Sequence, residues 1–300
     1  MKKYLMKIVL FFGIVAVLDF GFGRTCEWLQ VHAKGGRMKS VYQTIRFQEA
    51  DIVIMGSSRA HHHYVPSIIS DSLNVTAYNA GVNGNGIVLA TGLYDMLAKR
   101  YTPKVIIYDV EPAFDIYIYS EDGNNTRYLG WLRPYFSDPD IKQVITRVDP
   151  TERFKNLSSM FRYNSRVVDL LKDQLVISDY TKDGYAPLNG VMTKEPERKP
   201  GGELELDTLK INMMEEFVAK LSVSNTRLIL MVSPKYGAVS SETFKPVKEI
   251  CDNYGVEFWD YYCDPEFQKM EYFKEQMHLN DKGAHVFSEQ IAKRIRSVIN

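Results

Sequence analysis

Two segments at opposite ends of the chain carry the side chains of a nucleophilic catalytic group. Residues 51–58 form an apolar run that enters a glycine turn and ends in Ser57 and Ser58, and far downstream Glu275 precedes His278 by three residues. A serine hydroxyl becomes a good nucleophile when histidine takes its proton, and a carboxylate fixes the tautomer of that histidine. The sequence therefore predicts Ser58 as nucleophile, His278 as base and Glu275 as the orienting acid. Ser57 is the competing nucleophile.

A loop dense in glycine and asparagine, residues 79–86, follows the second predicted strand. Such a loop can present N–H groups to the oxyanion of a tetrahedral intermediate, and its candidate oxyanion or substrate-binding residues are Gly84, Asn83 and Asn85. A phosphate cradle and a plain tight loop are the rival interpretations. No Gly-Lys-Ser/Thr sequence of the P-loop type follows, which disfavours the phosphate cradle.

Three consecutive histidines, His61, His62 and His63, follow the serine turn. Adjacent side chains cannot all face one ion, and zinc sites use separated ligands or an i, i+4 pair on a helix. Plain packing or capping is therefore the favoured role of these histidines, polar contact with a substrate is second, and metal binding is last. We expect no metal site and no cofactor.

Short apolar runs alternate with helical patterns along most of the chain. The predicted strands are residues 52–55, 75–78, 105–110, 227–232 and 256–259. The predicted helices, with apolar residues three and four apart, are residues 66–73, 87–100, 206–223, 242–254 and 281–299. This alternation predicts an α/β fold with a mostly parallel sheet covered on both faces. Gly56, Asn79 and Ser233 then lie at the carboxyl ends of strands, where such sheets bind ligands.

The alternation is interrupted between residues 120 and about 202 by aromatic and charged segments. Helical patterns occur there at residues 139–147 and 162–175, followed by a polar stretch. We predict a mainly helical insertion. Because it follows the third strand, it could overhang the carboxyl edge of the sheet and shape a substrate cleft, or it could be a solvated decoration.

The first 26 residues have the layout of an export signal. Lys2, Lys3 and Lys7 precede an apolar stretch at residues 8–18. No small-x-small cleavage site follows, which favours an uncleaved signal anchor over a cleaved signal peptide, with a buried helix as a third interpretation. We therefore expect an exported protein, anchored in the cell membrane by residues 1–26, with the domain of residues 27–300 outside the cytoplasm.

Charge and cysteine content exclude two other classes of protein. Lysine plus arginine number 37 and aspartate plus glutamate 37, so the formal net charge is zero. Without a basic stripe to neutralise phosphates, nucleic acid is not an expected partner. The three cysteines, Cys26, Cys251 and Cys263, are an odd number and do not indicate a disulfide-rich fold. Two outcomes stay open for Cys251 and Cys263: a disulfide between them, or two free thiols.

Taken in order, these residues resemble the sequence blocks of the SGNH, or GDSL-type, hydrolase superfamily. Gly56-Ser57-Ser58 resembles the Gly-Asp-Ser block, with Ser58 as the nucleophile. Residues 79–84 resemble the second block, whose glycine, here Gly84, donates an oxyanion amide. Residues 275–278 resemble the last block, with glutamate in place of the usual aspartate. Where the third block has Gly-x-Asn-Asp, the chain has Asp-Val-Glu-Pro within residues 108–115, so the oxyanion asparagine is missing and Asn83 or Asn85 would have to replace that donor.

The resemblance implies a three-layer, flavodoxin-like α/β fold with a parallel sheet of about five strands. The N-terminal anchor and the Gly-Ser-Ser and His-Leu-Asn sequences are similar to those of exported, membrane-anchored SGNH-like proteins that help to O-acylate cell-surface polymers. That likeness implies a serine-dependent O-acyltransferase or esterase acting on acyl groups, acetyl above all, of a surface polysaccharide, with a membrane-bound O-acyltransferase as partner. The alternative is a catalytically inactive SGNH-fold module that binds glycan or such a partner, and the missing asparagine favours it.

Overall fold

A computed structural model describes residues 1–118, 124–175, 183–197 and 204–299. The chain forms two compact units. The first comprises Met1–Gln43 and Asn125–Ser178, and the second comprises Thr44–Asn124 and Asp179–Asn300. The first unit thus combines the predicted anchor with a large part of the predicted insertion, and the second contains the alternating strands and helices.

The described residues form seven strands and thirteen α-helices, in which short 3-10 turns are interspersed. The strands are β1 (Ile52–Gly56), β2 (Ala77–Asn79), β3 (Val105–Asp109), β4 (Arg227–Val232), β5 (Glu257–Asp260), β6 (Phe273–Glu275) and β7 (His278–Leu279). The helices are α1 (Lys2–His32), α2 (Gly36–Arg46), α3 (Ser58–His63), α4 (Pro66–Leu73), α5 (Ile87–Ala98), α6 (Pro112–Asp115), α7 (Pro139–Val148), α8 (Glu152–Lys155), α9 (Ser159–Tyr163), α10 (Val167–Lys172), α11 (Thr208–Ser222), α12 (Lys245–Tyr254) and α13 (Asp281–Ile299).

The second unit is built on a five-stranded sheet in the order β2-β1-β3-β4-β5, with every neighbouring pair parallel. This is the strand order of flavodoxin-like folds, in which the switch point lies between the first and third strands. The predicted fold class, a three-layer α/β fold with about five parallel strands, is therefore confirmed. The ends of β1 and β3, where Gly56 pairs with Asp109, form the edge at which a ligand site is expected.

Alternation along the central strands supplies an apolar core on each face of the sheet. On one face, Ile54 and Ile107 pack in a cluster with Phe287 of α13. On the other face, the Tyr108 ring lies 5.7 Å from that of Phe217 on α11, which also contacts Tyr94 of α5. The strand sequences are continuous apolar runs because both faces of this parallel sheet are buried.

Some helices end a few residues away from their predicted bounds, because local hydrogen bonds close them. Helix α5 ends at Ala98 rather than at residue 100, because the Arg100 N–H bonds to the Leu97 carbonyl in the i to i−3 pattern that closes a helix. The helix predicted at residues 162–175 is interrupted by a 3-10 turn, Asn164–Arg166. The antiparallel hairpin of β6 and β7 was not predicted.

Helix α1 is long and apolar enough to cross a membrane. Its 31 residues span about 46 Å at 1.5 Å per residue, against a hydrocarbon thickness of about 30 Å. A signal sequence has the same character, so the helix is compatible with either form of the predicted export signal. Within the first unit, α9 and α10 pack against α1.

Candidate active site

Ser58 lies in a turn that requires glycine. Strand β1 ends at Gly56, whose φ is +138°, and a Cβ at this position would lie 2.6 Å from the carbonyl oxygen of Asp109. Glycine alone adopts this conformation readily and leaves room for the neighbouring strand. After the extended Ser57, α3 begins at Ser58. Ser57 is fully buried and Ser58 is partly exposed, which favours Ser58 as the nucleophile.

The β6–β7 hairpin brings His278 to Ser58 from the far end of the chain. Glu275 and His278 are cross-strand partners in this hairpin, and the His278 Nδ1 is hydrogen-bonded to the Glu275 carboxylate. On the other side of the ring, Nε2 lies 2.7 Å from Ser58 Oγ. The tautomer assigned from these partners has Nδ1–H donating to Glu275 and Nε2 accepting from the serine hydroxyl. The three residues expected to act together are therefore in hydrogen-bond contact, in the order that proton transfer from serine requires.

The environment of Glu275 keeps its carboxylate charged. Burial acts to raise the pKa of Glu275, but hydrogen bonds from His278 and from the Met277 N–H outweigh it, and the pKa is lowered. The Met277 N–H donates at 2.9 Å. About half of the Glu275 side chain is exposed, so solvent screens part of its interaction with His278. A charged Glu275 can stabilise the imidazolium that forms when His278 accepts a proton.

A second histidine positions the catalytic hairpin, and sequence reasoning did not find it. His63 is fully buried; its Nε2 accepts the N–H of Leu279 at 3.0 Å, and its Nδ1 donates to Ser233 Oγ at 2.8 Å. Burial, together with the nearby His278 and Arg59, lowers the pKa of His63 well below its usual range, so the ring is neutral and can accept this bond. His63 therefore fixes the residue next to His278.

The hairpin is held on its other side by Asn280, the residue before α13. Its Oδ1 accepts the Gly283 N–H at 2.9 Å, and its Nδ2 donates to the Glu271 carbonyl at 2.8 Å. A Cβ on Gly283 would lie 2.2 Å from the Tyr272 carbonyl oxygen, so the helix start packs directly against the preceding segment. These contacts restrain both chains that flank His278.

The glycine-rich loop after β2 packs against the start of α3. Asn79 clamps the two together, since its Nδ2 donates to the Ala60 and Tyr64 carbonyls at 2.7 and 3.0 Å. Gly84 adopts a φ of +70° at the tip of the loop. Among the described residues, neither its N–H nor that of Ser58 has a hydrogen-bond partner. Both N–H groups are therefore unused donors.

The side chains of Asn83 and Asn85 serve the loop itself. Asn83 Oδ1 accepts from His61 Nδ1 at 2.9 Å, and its Nδ2 lies 3.2 Å from His62 Nε2. Asn85 Nδ2 donates to the Asn83 carbonyl at 3.0 Å. Each side-chain amide thus commits one of its two N–H groups to the loop.

The three consecutive histidines have three different partners, which agrees with the packing interpretation. His61 bonds to Asn83, His62 Nδ1 donates to the Ala186 carbonyl at 2.7 Å, and His63 bonds to Ser233. Within the described part of the chain, no group of three histidine, cysteine, aspartate or glutamate side chains is arranged to hold a metal ion. Cys251 and Cys263 are both free thiols in the structure.

A buried ion cluster beneath Ser58 was also missed by sequence reasoning. Arg59 is 1% exposed; its Nη2 lies 3.2 Å from Asp109 Oδ1, and its Nε lies 2.8 Å from Glu111 Oε2. Nη2 also donates to the Val110 carbonyl at 2.6 Å. Burial raises the pKa of Glu111, and the Arg59 charge opposes that rise. The cluster therefore links the residue after Ser58 to the segment that follows β3.

An open cleft of about 820 Å³ adjoins the catalytic hairpin. Gln276, which lies between Glu275 and Met277, lines it together with Lys235 and Tyr262. The hairpin and the cleft wall are joined by the Tyr236 N–H, which donates to the Gln276 carbonyl at 3.1 Å. The Lys235 ammonium lies 5.6 Å from the centre of the Tyr262 ring, a cation–π contact. The cleft therefore combines a cation, an aromatic ring and polar groups beside the candidate catalytic residues.

Comparison with known proteins gives no family for this chain. No protein-family model matches it, and no curated protein matches it. A solved structure of a gut microbial diltiazem-metabolizing enzyme is similar at 13% identity and a TM-score of 0.39, over 84% of this chain and 48% of that one, so this chain spans about half the length of that enzyme. A Streptococcus pneumonia protein described as a platelet activating factor is similar at 14% identity and a TM-score of 0.38, over 94% of this chain and 98% of that one.

Proposed function

We propose that this protein is a serine-dependent esterase or O-acyltransferase that works through an acyl-Ser58 intermediate. The observation that carries the proposal is the 2.7 Å contact between Ser58 Oγ and His278 Nε2, with the Glu275 carboxylate on the other ring nitrogen. A serine in such contact with a base is activated for attack on a carbonyl carbon. The glycine turn, the hairpin and His63 all restrain these atoms, which is the preorganisation that catalysis needs.

In the acylation step, Ser58 Oγ attacks the ester carbonyl carbon while His278 Nε2 takes the hydroxyl proton, and Glu275 stabilises the imidazolium. The carbonyl oxygen becomes an oxyanion that the Ser58 and Gly84 N–H groups can bind. As the intermediate collapses, the bond to the leaving alcohol breaks and His278 returns its proton to that oxygen. An acceptor hydroxyl then attacks the acyl-serine by the reverse steps, with His278 as base.

The acceptor decides whether the reaction is hydrolysis or transfer. Water gives an esterase, and a sugar hydroxyl gives a transferase. The cleft lined by Lys235, Tyr262 and Gln276 is the space in which we place the alcohol part of the substrate, because it adjoins the hairpin that carries Glu275 and His278. Aromatic and polar groups together suit a carbohydrate, whose ring faces stack and whose hydroxyls hydrogen-bond.

The location proposed for this chemistry is the outer side of the cell membrane. Lys2, Lys3 and Lys7 precede the apolar part of α1, and the positive-inside rule places this end in the cytoplasm. The rest of the chain then lies on the other side, where surface polysaccharides are found. We propose O-acyl groups of such a glycan, acetyl above all, as substrate, and a membrane-bound O-acyltransferase as the partner that would supply acyl groups.

Covalent labelling of the full-length protein in detergent with a fluorophosphonate tests the serine chemistry. We expect one adduct by intact mass on the wild type and none on Ser58→Ala or His278→Ala. Ser57→Ala is the matched control, since its hydroxyl is the neighbouring one and is buried, and it should label like the wild type. Labelling of Ser58→Ala, or loss of labelling in a folded Ser57→Ala protein, would contradict the assignment.

A second candidate function is a catalytically inactive module that binds glycan or a membrane partner. The observation that favours it is Glu111, a carboxylate at the position of the expected oxyanion asparagine, together with the Asn83 and Asn85 side chains, which already hydrogen-bond within the loop. The same experiment separates the two functions. Absence of any adduct on a wild-type protein that unfolds cooperatively would favour the binding module over the enzyme.

A further inference from the structure

The first unit exposes large apolar side chains along its segment of residues 152–175. Their exposed fractions run from 46% for Met160 to 83% for Leu175. The exposed residues are Phe154, Leu157, Met160, Val168, Leu171 and Leu175. On α10, Val168 and Leu171 are spaced three apart and therefore lie on one face, while Leu170 faces inward and is fully buried. Soluble surfaces rarely expose apolar side chains in such density.

A charged residue of α1 fixes where this segment lies along that helix. Asp19 follows the apolar run of α1, and its carboxylate is not left to solvent or lipid: it accepts from Ser158 Oγ at 2.6 Å, from the Ser159 N–H at 2.7 Å and from the Met160 N–H at 2.9 Å. Ionisable groups in an apolar span are costly unless paired in this way. The start of α9 is thus bound to α1 at the level of Asp19.

A close helix contact reinforces the same placement. A Cβ on Gly23 would lie 2.6 Å from the Ser159 side-chain oxygen, so α9 approaches the backbone of α1 one turn beyond Asp19. Farther along, Gln174 Nε2 donates to the Leu29 carbonyl at 2.8 Å. The segment of residues 152–175 therefore runs beside the part of α1 that follows its most apolar stretch, residues 8–18.

We propose that the segment of residues 152–175 lies in the headgroup layer of the bilayer that α1 crosses, with its exposed apolar side chains inserted among the lipid chains. If α1 enters the hydrocarbon at Lys3, with the Lys7 side chain extended back toward the cytoplasmic surface, about 20 residues of helix reach the opposite boundary near Gly23, and Asp19 lies about 6 Å inside that boundary. Phe154, Leu157 and Met160 then continue the lipid-facing surface of α1 itself.

Lipid is the occupant that the surrounding charges favour. Arg153 and Lys172 are exposed on the same segment, whereas the Lys155 ammonium is paired with Asp149 at 3.0 Å. Basic side chains beside apolar ones characterise elements that lie in the membrane plane, where the cations reach phosphate groups while the apolar residues enter the chains. The Arg153 guanidinium lies 4.6 Å from the centre of the Phe154 ring, so cation and apolar group are presented together.

Site-specific fluorescence in nanodiscs containing no other protein tests the proposal. The full-length chain, with its three cysteines changed to alanine, would carry single cysteines at Leu157 or Leu171, labelled with an environment-sensitive dye. Val9 on α1 provides the lipid control, and Val223, 88% exposed in the second unit, provides the water control. We expect doxyl-lipid quenching and loss of iodide quenching at Leu157 and Leu171, as at Val9, and the reverse at Val223.

The controls separate the possible failures. If the dye at Leu157 and Leu171 is quenched by iodide as at Val223 while Val9 is quenched by lipid, the segment is not in the membrane and the proposal is overturned, which would leave a protein partner to cover it. If Val9 is also reached by iodide, α1 does not span the bilayer and the proposal fails with it. Unfolding midpoints equal to that of the parent would show that each labelled variant is folded, since all four sites are exposed.

Discussion

Replacing Arg59 by methionine tests the ion cluster that ties the nucleophile turn to the end of β3. The guanidinium is 1% exposed and contacts Asp109, which is fully buried, and Glu111, whose side chain is 9% exposed. Methionine keeps much of the apolar stem but leaves two buried carboxylates without a cation. Removing one partner of a buried ion pair costs about 3–5 kcal/mol. We therefore expect the unfolding midpoint of Arg59→Met at pH 7 to fall by ~10 °C, at 2–4 °C per kcal/mol.

The loss of stability in Arg59→Met should be smaller at low pH than at high pH. Burial already raises the pKa of Glu111, and without the Arg59 charge it rises further. A carboxyl whose folded pKa exceeds its unfolded value contributes full stability below the unfolded pKa and loses it as pH rises through the folded pKa. The difference between Arg59→Met and the wild type should therefore be smaller at pH 5 than at pH 8. Adding Glu111→Gln to Arg59→Met should recover part of the loss.

The assay is urea or thermal unfolding of the full-length protein in detergent, followed by tryptophan fluorescence at both pH values. Lys248→Met is the matched control, because it removes a cation from a pair with Asp252 whose side chains are 56% and 61% exposed. Such a surface pair is worth at most about 0.5 kcal/mol. If Arg59→Met costs no more than Lys248→Met, or costs the same at pH 5 and pH 8, the cluster does not stabilise the fold as argued.

Three further predictions follow from the site and its surroundings. Glu275→Gln should lower the rate of fluorophosphonate labelling by about 10²-fold, because the amide cannot stabilise the His278 cation. Its unfolding midpoint should fall by no more than a few degrees. An unchanged labelling rate would remove Glu275 from the mechanism. Gly56→Ala should destabilise the protein by roughly 3 kcal/mol or more through its φ and its clash with β3, whereas Gly237→Ala, with φ +69° and open space around it, should cost only about 1 kcal/mol; equal losses would refute the clash. Burial, against hydrogen bonds from Glu111 N–H, Tyr108 and Ile87 N–H, raises the pKa of Asp115 to about 7, so its contribution to stability is lost as pH rises from about 4 through 7. Unfolding midpoints of the wild type should show this loss, and Asp115→Asn, though less stable overall, should lack that step.

The fold and the candidate catalytic residues could be predicted because their signals are local. A buried parallel strand reads as an apolar run, and a glycine turn into a helix marks the end of one, so β1 and Ser58 were evident from the sequence. Glu275 and His278 were paired from their spacing alone. The hairpin that makes them cross-strand partners was not predicted, since its two- and three-residue strands carry no periodicity.

The contacts that support the site could not be predicted from the sequence, because they join residues that are far apart in the chain. His63 meets the N–H of Leu279, 216 positions away, and Arg59 meets Asp109 across 50 positions. The adjacent histidines gave only a choice among metal binding, polarity and packing. The first unit shows the same limit: nothing in the sequence near Asp19 indicates that Ser158, 139 positions later, supplies its hydrogen bond.

The missing asparagine of the third block has a different meaning once Glu111 is seen with Arg59. From the sequence alone, Asp-Val-Glu-Pro indicates that an oxyanion donor has been lost. In the structure, Glu111 forms an ion pair with Arg59, the residue directly after Ser58. In the mechanism proposed above, a carboxylate held by that cation leaves the oxyanion to the N–H groups of Ser58 and Gly84. The loss of one donor typically costs about 10²–10³ in rate, not the whole reaction. We therefore expect fluorophosphonate labelling of Ser58 to be slow but to reach one adduct per chain, and a labelled fraction that stops far below one in folded protein would favour the inactive module.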